Sequence, residues 1–251
     1  MSVILEARGV DKRFGGVAAV ERLSFCVDAG ELVGLIGPNG AGKTTVFNLV
    51  TGVHRPTAGE ILHRGTRISG CDPTAIARRG IARTFQNIRL FPSLTVLEHI
   101  LVAQACRATV RATQFWPFRT AGERERRRQA LAVLDGVGLS ARRDEAATHL
   151  PYGAQRRLEI ARALATGPEL LLLDEPAAGL NDTETADLRR LLDALRAQGY
   201  TILLVEHDMK LVMQVCSRIL VLNFGRLIAS GPPAQVRSDP GVIDAYLGVA
   251  H

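Results

Sequence analysis

Gly37-Pro38-Asn39-Gly40-Ala41-Gly42-Lys43-Thr44-Thr45 is the stretch that decides how the chain is read. An apolar run, Leu32-Val33-Gly34-Leu35-Ile36, leads into it, and Val46-Phe47-Asn48-Leu49-Val50 continues from it in a helix-like pattern. Strand, glycine-rich loop and helix, in that order, carry the G-x-x-x-x-G-K-[ST] spacing of a phosphate-binding loop. The glycines let the backbone curl so that several N–H groups point inward. The new helix adds its unpaired N–H groups and its positive dipole end. Lys43 can reach the β- and γ-phosphates of a nucleotide, and the Thr44 hydroxyl can ligate Mg²⁺.

The 251 residues are enough for one large domain, and 47% of them are hydrophobic while only 5% are aromatic. No uninterrupted apolar run approaches the ~18 residues of a membrane span. Met1-Ser2-Val3-Ile4-Leu5-Glu6 lacks the charged start and apolar core of a signal peptide, so a cytoplasmic protein is expected. Cys26, Cys71, Cys106 and Cys216 are scattered without metal-ligand spacing or a disulfide framework, and buried or inert thiols are expected. The net charge is +6 and the isoelectric point about 9.6. A basic balance fits nucleic acid, anionic lipid or a phosphate ligand. The densest basic run, Arg124 to Arg128, is interleaved with Glu123 and Glu125, the pattern of a solvated helix face. No nucleic-acid motif accompanies it, and a nucleic-acid partner is not expected.

Along the chain, residues 3–7 and 22–28 read as short strands, and residues 60–64 and 66–69 as a small antiparallel pair. Asp72-Pro73 opens a short helix to Arg79, with Gly80 as its stop, and residues 81–85 form a strand. Residues 94–106, 122–137 and 154–165 are helical by period, with no strand between them, and form a helical subdomain. Residues 108–120 carry Phe115-Trp116-Pro117-Phe118, which either pack locally or face a partner. From residue 169 the alternation of apolar strands and helices returns: strands at 170–173, 201–205, 218–223 and 225–230, helices at 182–197, 209–216, 233–237 and 240–247. Fully apolar strands separated by helices indicate a parallel sheet covered on both faces.

Leu170-Leu171-Leu172-Leu173-Asp174-Glu175-Pro176 is the second informative stretch. An apolar strand that ends in adjacent carboxylates puts Asp174 at the carboxyl edge of the sheet, where it can hold Mg²⁺ directly or through water. Glu175, one residue on, can polarise a water in line with the γ-phosphate.

These motifs together resemble an ABC ATPase, and the resemblance covers nearly the whole chain. Gly37–Thr45 is similar to its Walker A loop and Leu170–Asp174 to its Walker B strand. Between them lies Leu150-Pro151-Tyr152-Gly153-Ala154-Gln155, similar to the signature motif. Gln86 matches the Q-loop glutamine, Ala178-Gly179-Leu180-Asn181 the D-loop, and His207 the switch histidine. Phe14 matches the aromatic that stacks on adenine, although a core role for Phe14 stays open.

What the resemblance implies is specific. The fold is an α/β P-loop NTPase cassette: a mainly parallel sheet flanked by helices, an N-terminal antiparallel β subdomain and an inserted helical subdomain. Residues 1–251 form a single ABC ATPase domain, with 1–86 and 167–251 as the nucleotide-binding core and 87–166 as the helical subdomain. ATP and Mg²⁺ bind at Phe14, Gly37–Thr45 and Asp174, with Thr44, Gln86 and Asp174 at the metal and Glu175, His207 and Gln86 catalytic. Two cassettes pack head to tail, as a homodimer or heterodimer, and each signature, Leu150 to Gln155, completes the partner's ATP site. Pro151 stands where the family carries a Ser whose hydroxyl reaches the γ-phosphate, and Tyr152 where it carries a Gly. Gly153, backbone N–H groups and the following helix's N-terminus are then what the signature offers the partner. Asn181 replaces the usual D-loop Asp.

Longer runs, residues 83–91, 152–162, 174–181, 206–212 and 242–248, look like the larger ATP-binding subunit of branched-chain amino acid importers. That implies separate permease subunits, docked near residues 86–91, an indirect substrate-binding protein, and a place on the cytoplasmic face of the membrane. Urea or amide importers and lipopolysaccharide-type exporters share much of the pattern. A nucleic-acid or ribosome-associated ABC ATPase fits less well, because those carry two cassettes or a long coiled-coil insertion.

Overall fold

The computed structural model describes residues 2–86, 88–107 and 121–247. The chain opens with a hairpin of two long strands, β1 (Val3–Phe14) and β2 (Val17–Asp28), turned at Gly15-Gly16. Both run further than the short strands read from the pattern. Register shifts interrupt β1 between Ala7 and Lys12, so the simple inside–outside alternation is lost there while the pairing continues. The strand β3 (Leu32–Ile36) follows, then the phosphate loop and α1 (Lys43–Val50).

The next strands, β4 (Ala58–His63) and β5 (Thr66–Arg67), complete a four-stranded antiparallel sheet in the order β2-β1-β4-β5. Asp72 caps α2 (Pro73–Arg78) by accepting from the Ala75 N–H, as the Asp-Pro start predicts. The strand β6 (Ile81–Arg83) is shorter than the five residues expected, because Thr84 N–H pairs with Leu172 O and the chain then leaves the sheet.

Three helices come next: α3 (Val96–Arg107), α4 (Ala121–Gly136) and α5 (Tyr152–Ala165). Residues 108–120, with their four expected packing residues, lie outside the described residues. On α4 the Arg-Glu run is solvated, and Arg128 bridges Glu125. The rest of the chain forms β7 (Leu170–Asp174), α6 (Asp182–Ala197), β8 (Thr201–Val205), α7 (Met209–Val215), β9 (Arg218–Asn223), β10 (Arg226–Gly231), α8 (Pro233–Arg237) and α9 (Pro240–Leu247).

The second sheet has the order β10-β9-β3-β8-β7-β6, parallel except for β10. Alternation along each strand sends side chains to opposite faces, so both faces must be apolar if both are covered. Leu32, Ile36, Leu171, Leu173, Ile202, Leu204, Ile219 and Val221 share one cluster with α3 to α7. Val33, Leu35, Leu170, Leu172, Leu203, Val205, Leu220 and Leu222 share the other with α1 and the antiparallel sheet. The helical segment has no separate core: Ile100, Leu134 and Leu158 belong to the first of these clusters. On α6, Leu188, Leu191, Leu192 and Leu195 form the expected buried stripe.

Burial pushes the Cys216 thiol up to about 12, so it is an inert core group, whereas Cys26 and Cys71 are only half-buried. Phe47 lies wholly inside the second cluster, directly behind the phosphate loop. Replacing it with Ala removes a fully buried ring that the Arg83 guanidinium also lies over. We expect Phe47→Ala to lower unfolding stability by about 3–5 kcal/mol, read as a shift of the urea midpoint.

Candidate functional site

Four parallel strands, β3, β8, β7 and β6, lie side by side, and the segments that leave their carboxyl ends converge. That edge is where open α/β sheets place their ligands. β3 delivers the loop Gly37–Gly42. Gly42 holds φ +102, and a Cβ there would meet the Ala19 carbonyl at 2.5 Å, so the loop is seated against β2 and only glycine fits. Gly225 N–H to Ala41 O, 3.0 Å, pins its other side.

Lys43, almost fully buried, donates from Nζ to the carbonyls of Gly37 (2.7 Å) and Pro38 (3.0 Å). Burial pulls its pKa down, while the nearby Glu175 and Asp174 push it up. Thr44 is exposed at the first turn of α1 and Thr45 is half-buried.

β7 ends at Asp174, whose Oδ2 accepts from Arg83 Nη2 at 2.7 Å. The chain then turns sharply: Glu175 holds φ +48 and donates its N–H to Val205 O at 2.9 Å. Its carboxylate lies between two loops. Oε2 accepts from Gln86 Nε2 at 2.7 Å, and Oε1 meets His207 Nε2 at 3.0 Å. The structure thus brings Gln86, Glu175 and His207 into one hydrogen-bonded line beside Lys43. Phe14 is exposed rather than in the core. Its ring packs edge-on against His54, with Lys12 Nζ 4.8 Å from its centroid.

The donor set at the loop suits a hard divalent cation. Thr44 offers a hydroxyl, Asp174 a carboxylate and Gln86 an amide oxygen. Among the described residues no group of three or more His, Cys, Asp or Glu is placed to hold a metal ion.

The signature stretch lies at the start of α5, on the far side of the D-loop. Leu150, Gly153 and Ala154 are buried, Pro151 and Tyr152 are exposed, and Gln155 Nε2 donates to Leu150 O at 2.9 Å. Within the single chain the Gly153 N–H donates to Glu184 Oε1 at 3.1 Å. A Cβ at Gly153 would meet that oxygen at 2.6 Å. Asn181 caps α6 in a reciprocal capping box with Glu184, so its amide is committed to the helix start.

Three residues of the site were not singled out from the sequence. Arg83 spans Asn48 (2.7 Å) and Asp174 and lies over the rings of Phe47 and Phe85. An Arg inside a short strand next to a carboxylate-ended strand was the available signal. Glu184 was legible as the fourth residue of Asn181-x-x-Glu184. Glu206 is 4% exposed and accepts from Ala177 N (2.6 Å) and His207 N (3.0 Å). Burial raises its pKa, opposed by those N–H groups. It ties the turn that follows Glu175 to the loop that carries His207, and nothing in its spacing announces this.

Comparison with known proteins agrees with this geometry. A model of the ABC transporter family matches residues 20–178, and one of the branched-chain amino acid ATP-binding cassette transporters matches residues 226–251. The chain is 48% identical to the high-affinity branched-chain amino acid transport ATP-binding protein BraF of Pseudomonas aeruginosa, over 98% of both chains. It is 47% identical to its counterpart LivG of Escherichia coli K12, over 98% of both. The lipopolysaccharide export ATP-binding protein LptB of the same strain is 36% identical over 97% of both. Among solved structures, the ADP conformation of the cassette MJ1267 superposes with a TM-score of 0.87 at 30% identity, over 99% of this chain and 100% of that one. The dimeric post-hydrolysis cassette MJ0796, bound to ADP and Pi, gives 0.77 at 27%, over 92% and 99%.

Glu206 supports a turn and a loop but does not itself face the phosphate loop. Glu206→Ala is therefore expected to lower kcat for ATP hydrolysis about tenfold or more, with KM for ATP within about twofold. Steady-state kinetics at fixed Mg²⁺ check it.

Proposed function

Since the chain belongs to the ABC transporter ATP-binding family, we propose that it is the ATP-hydrolysing subunit of a membrane importer for branched-chain amino acids or closely related solutes. The observation that carries the chemistry is the Glu175 carboxylate held between Gln86 and His207 at the carboxyl edge of the sheet. In this reading the N–H groups of Gly37–Gly42 and the Lys43 ammonium hold the phosphates. Thr44, Gln86 Oε1 and Asp174 would hold Mg²⁺, which would supply neutralisation of phosphate charge. Glu175 accepts the proton of the attacking water, and His207 orients it. Phe14 offers its exposed ring to the adenine.

The partners follow from what the site lacks within one chain. The exposed Pro151 and Tyr152 of the signature are placed to face a second cassette, and the dimeric relative MJ0796 supports that arrangement. Among the described residues no helix is long and apolar enough to cross a membrane, and in this reading separate permease subunits carry the solute. An apolar groove lined by Val53, Ile76, Phe85, Leu90 and Phe91 lies beside Gln86, and it fits an amphipathic helix presented by such a subunit. His99 fixes the groove's rim: Nε2 accepts from the Phe91 N–H at 2.9 Å, and Nδ1 faces Thr95 O at 2.8 Å. Solute choice rests on the names of two transport relatives, BraF and LivG.

Glu175→Gln keeps the hydrogen-bonding shape but removes the base. It is expected to bind ATP normally, to lose hydrolysis by at least about a hundredfold, and to accumulate an ATP-bound dimer in size-exclusion chromatography. Near-normal turnover would remove Glu175 from its role. Omission of Mg²⁺ with EDTA is expected to abolish turnover of the unaltered protein. Pro151 is the N-cap of α5 and makes no side-chain cap. Pro151→Ser supplies a capping hydroxyl at a compatible φ of −55°, worth about 1 kcal/mol, and a γ-phosphate donor for the partner. Raised ATPase activity or tighter ATP-dependent dimerisation is expected, and no change in either would show that the backbone donors suffice.

A further inference from the structure

Tyr152, Arg156, Glu159 and Arg162 follow one another on α5 at spacings of four, three and three residues, so they share one helix face. Each holds a segment of another loop. Tyr152 donates from its hydroxyl to Ala178 O of the D-loop at 3.1 Å, and its ring packs on Gly179, where a Cβ would lie 3.1 Å from it. Arg156 donates from Nη2 to the Tyr152 hydroxyl at 2.9 Å and from Nη1 to Phe85 O, next to Gln86, at 3.3 Å. Glu159 Oε1 accepts the Arg89 N–H at 3.0 Å, and Arg162 Nη1 donates to Arg89 O while lying over the Phe91 ring.

The face therefore runs unbroken from the apolar groove, past Gln86, to the D-loop. Its charges are expensive. Arg156 and Glu159 are 5% and 6% exposed and stand 3.5 Å apart. Among the described residues Arg156 Nε and Glu159 Oε2 make no hydrogen bond. A buried ion pair left partly unsatisfied adds little stability, and what it does fix is geometry.

We propose that Tyr152 and Arg156 are positioning residues. They lock the Phe85–Gln86 loop to the D-loop, so that seating of a partner helix in the groove is felt on both sides of the nucleotide site. The functional meaning rests on the importer reading, but the mechanical link does not. Tyr152 is exposed and belongs to the signature, so its loss alone would be ambiguous. Arg156 is buried and bonds to Phe85 and Tyr152 of its own chain.

Arg156→Lys keeps the charge but cannot reach two acceptors at once as the guanidinium fork does. The test is amide hydrogen exchange on the full chain without nucleotide. Arg89 N–H, held by Glu159, reports the groove side, and Ala178 and Leu180 N–H, bonded to Glu175 O and Ala177 O, report the D-loop. Arg156→Lys is expected to raise exchange about tenfold or more at both ends, with amides of β7 and β8 unchanged. A change at one end only, or at neither, overturns the link.

In ATPase assays, Tyr152→Phe and Arg156→Lys are each expected to lower kcat about fivefold with KM for ATP retained, and the double variant to be no worse than the poorer single one. Multiplying losses overturn it. Because exchange is read without nucleotide, failure of the unaltered protein to hydrolyse ATP would sink the importer reading and leave the exchange result standing.

Discussion

The Glu175 carboxylate accepts from Gln86 with one oxygen and meets His207 with the other, and this single group joins three loops from three strands. The geometry depends on the unusual backbone at Glu175, whose φ of +48° is outside the region most side chains adopt. Such strain persists only where surroundings over-determine it. Here Val205 O holds the Glu175 N–H, and Glu206 holds the Ala177 N–H two residues further on. The carboxylate is aimed by the backbone, and the backbone is held from below by the neighbouring strand.

The arrangement requires a rigid platform. Every residue of β3, β7 and β8 is buried, and the sheet has apolar clusters on both faces. Close packing lets small displacements travel instead of being absorbed. Loops anchored at adjacent strand ends then keep their spacing. The large core also tolerates several buried charges, among them Arg83, Asp174, Arg156, Glu159 and Glu206, each of which costs stability unless paired or hydrogen-bonded.

Much of this was legible in the sequence, for physical reasons. Fully apolar strands have one stable environment, so β3, β8 and β9 and the helices α6, α8 and α9 match their expected bounds. Gly37–Thr45 and Leu170–Asp174 mark the site because backbone curl and a strand-ending carboxylate need those residue types. What escaped were long-range partners. The register shifts in β1 hid the true length of the first hairpin. Arg83, Glu184 and Glu206 are ordinary charged residues in sequence, and only the fold shows which carbonyl, amide or carboxylate each one meets.

The signature is where sequence and structure pull hardest on each other. Pro151 has no hydroxyl, and the Gly153 N–H is taken by Glu184, so a standard set of donors is not presented at the start of α5. Tyr152 instead turns its hydroxyl inward to the D-loop and leaves its ring partly exposed. The same short stretch is thus tied within the chain more firmly than a glycine at that position would allow. A partner's nucleotide would meet a surface already braced against α6 through Glu184 and against the D-loop through Tyr152. The weaker donor set and the stiffer mount act in opposite directions on that half-site. In the proposed dimer, closure would then depend less on the number of hydrogen bonds this chain offers than on how rigidly it offers them.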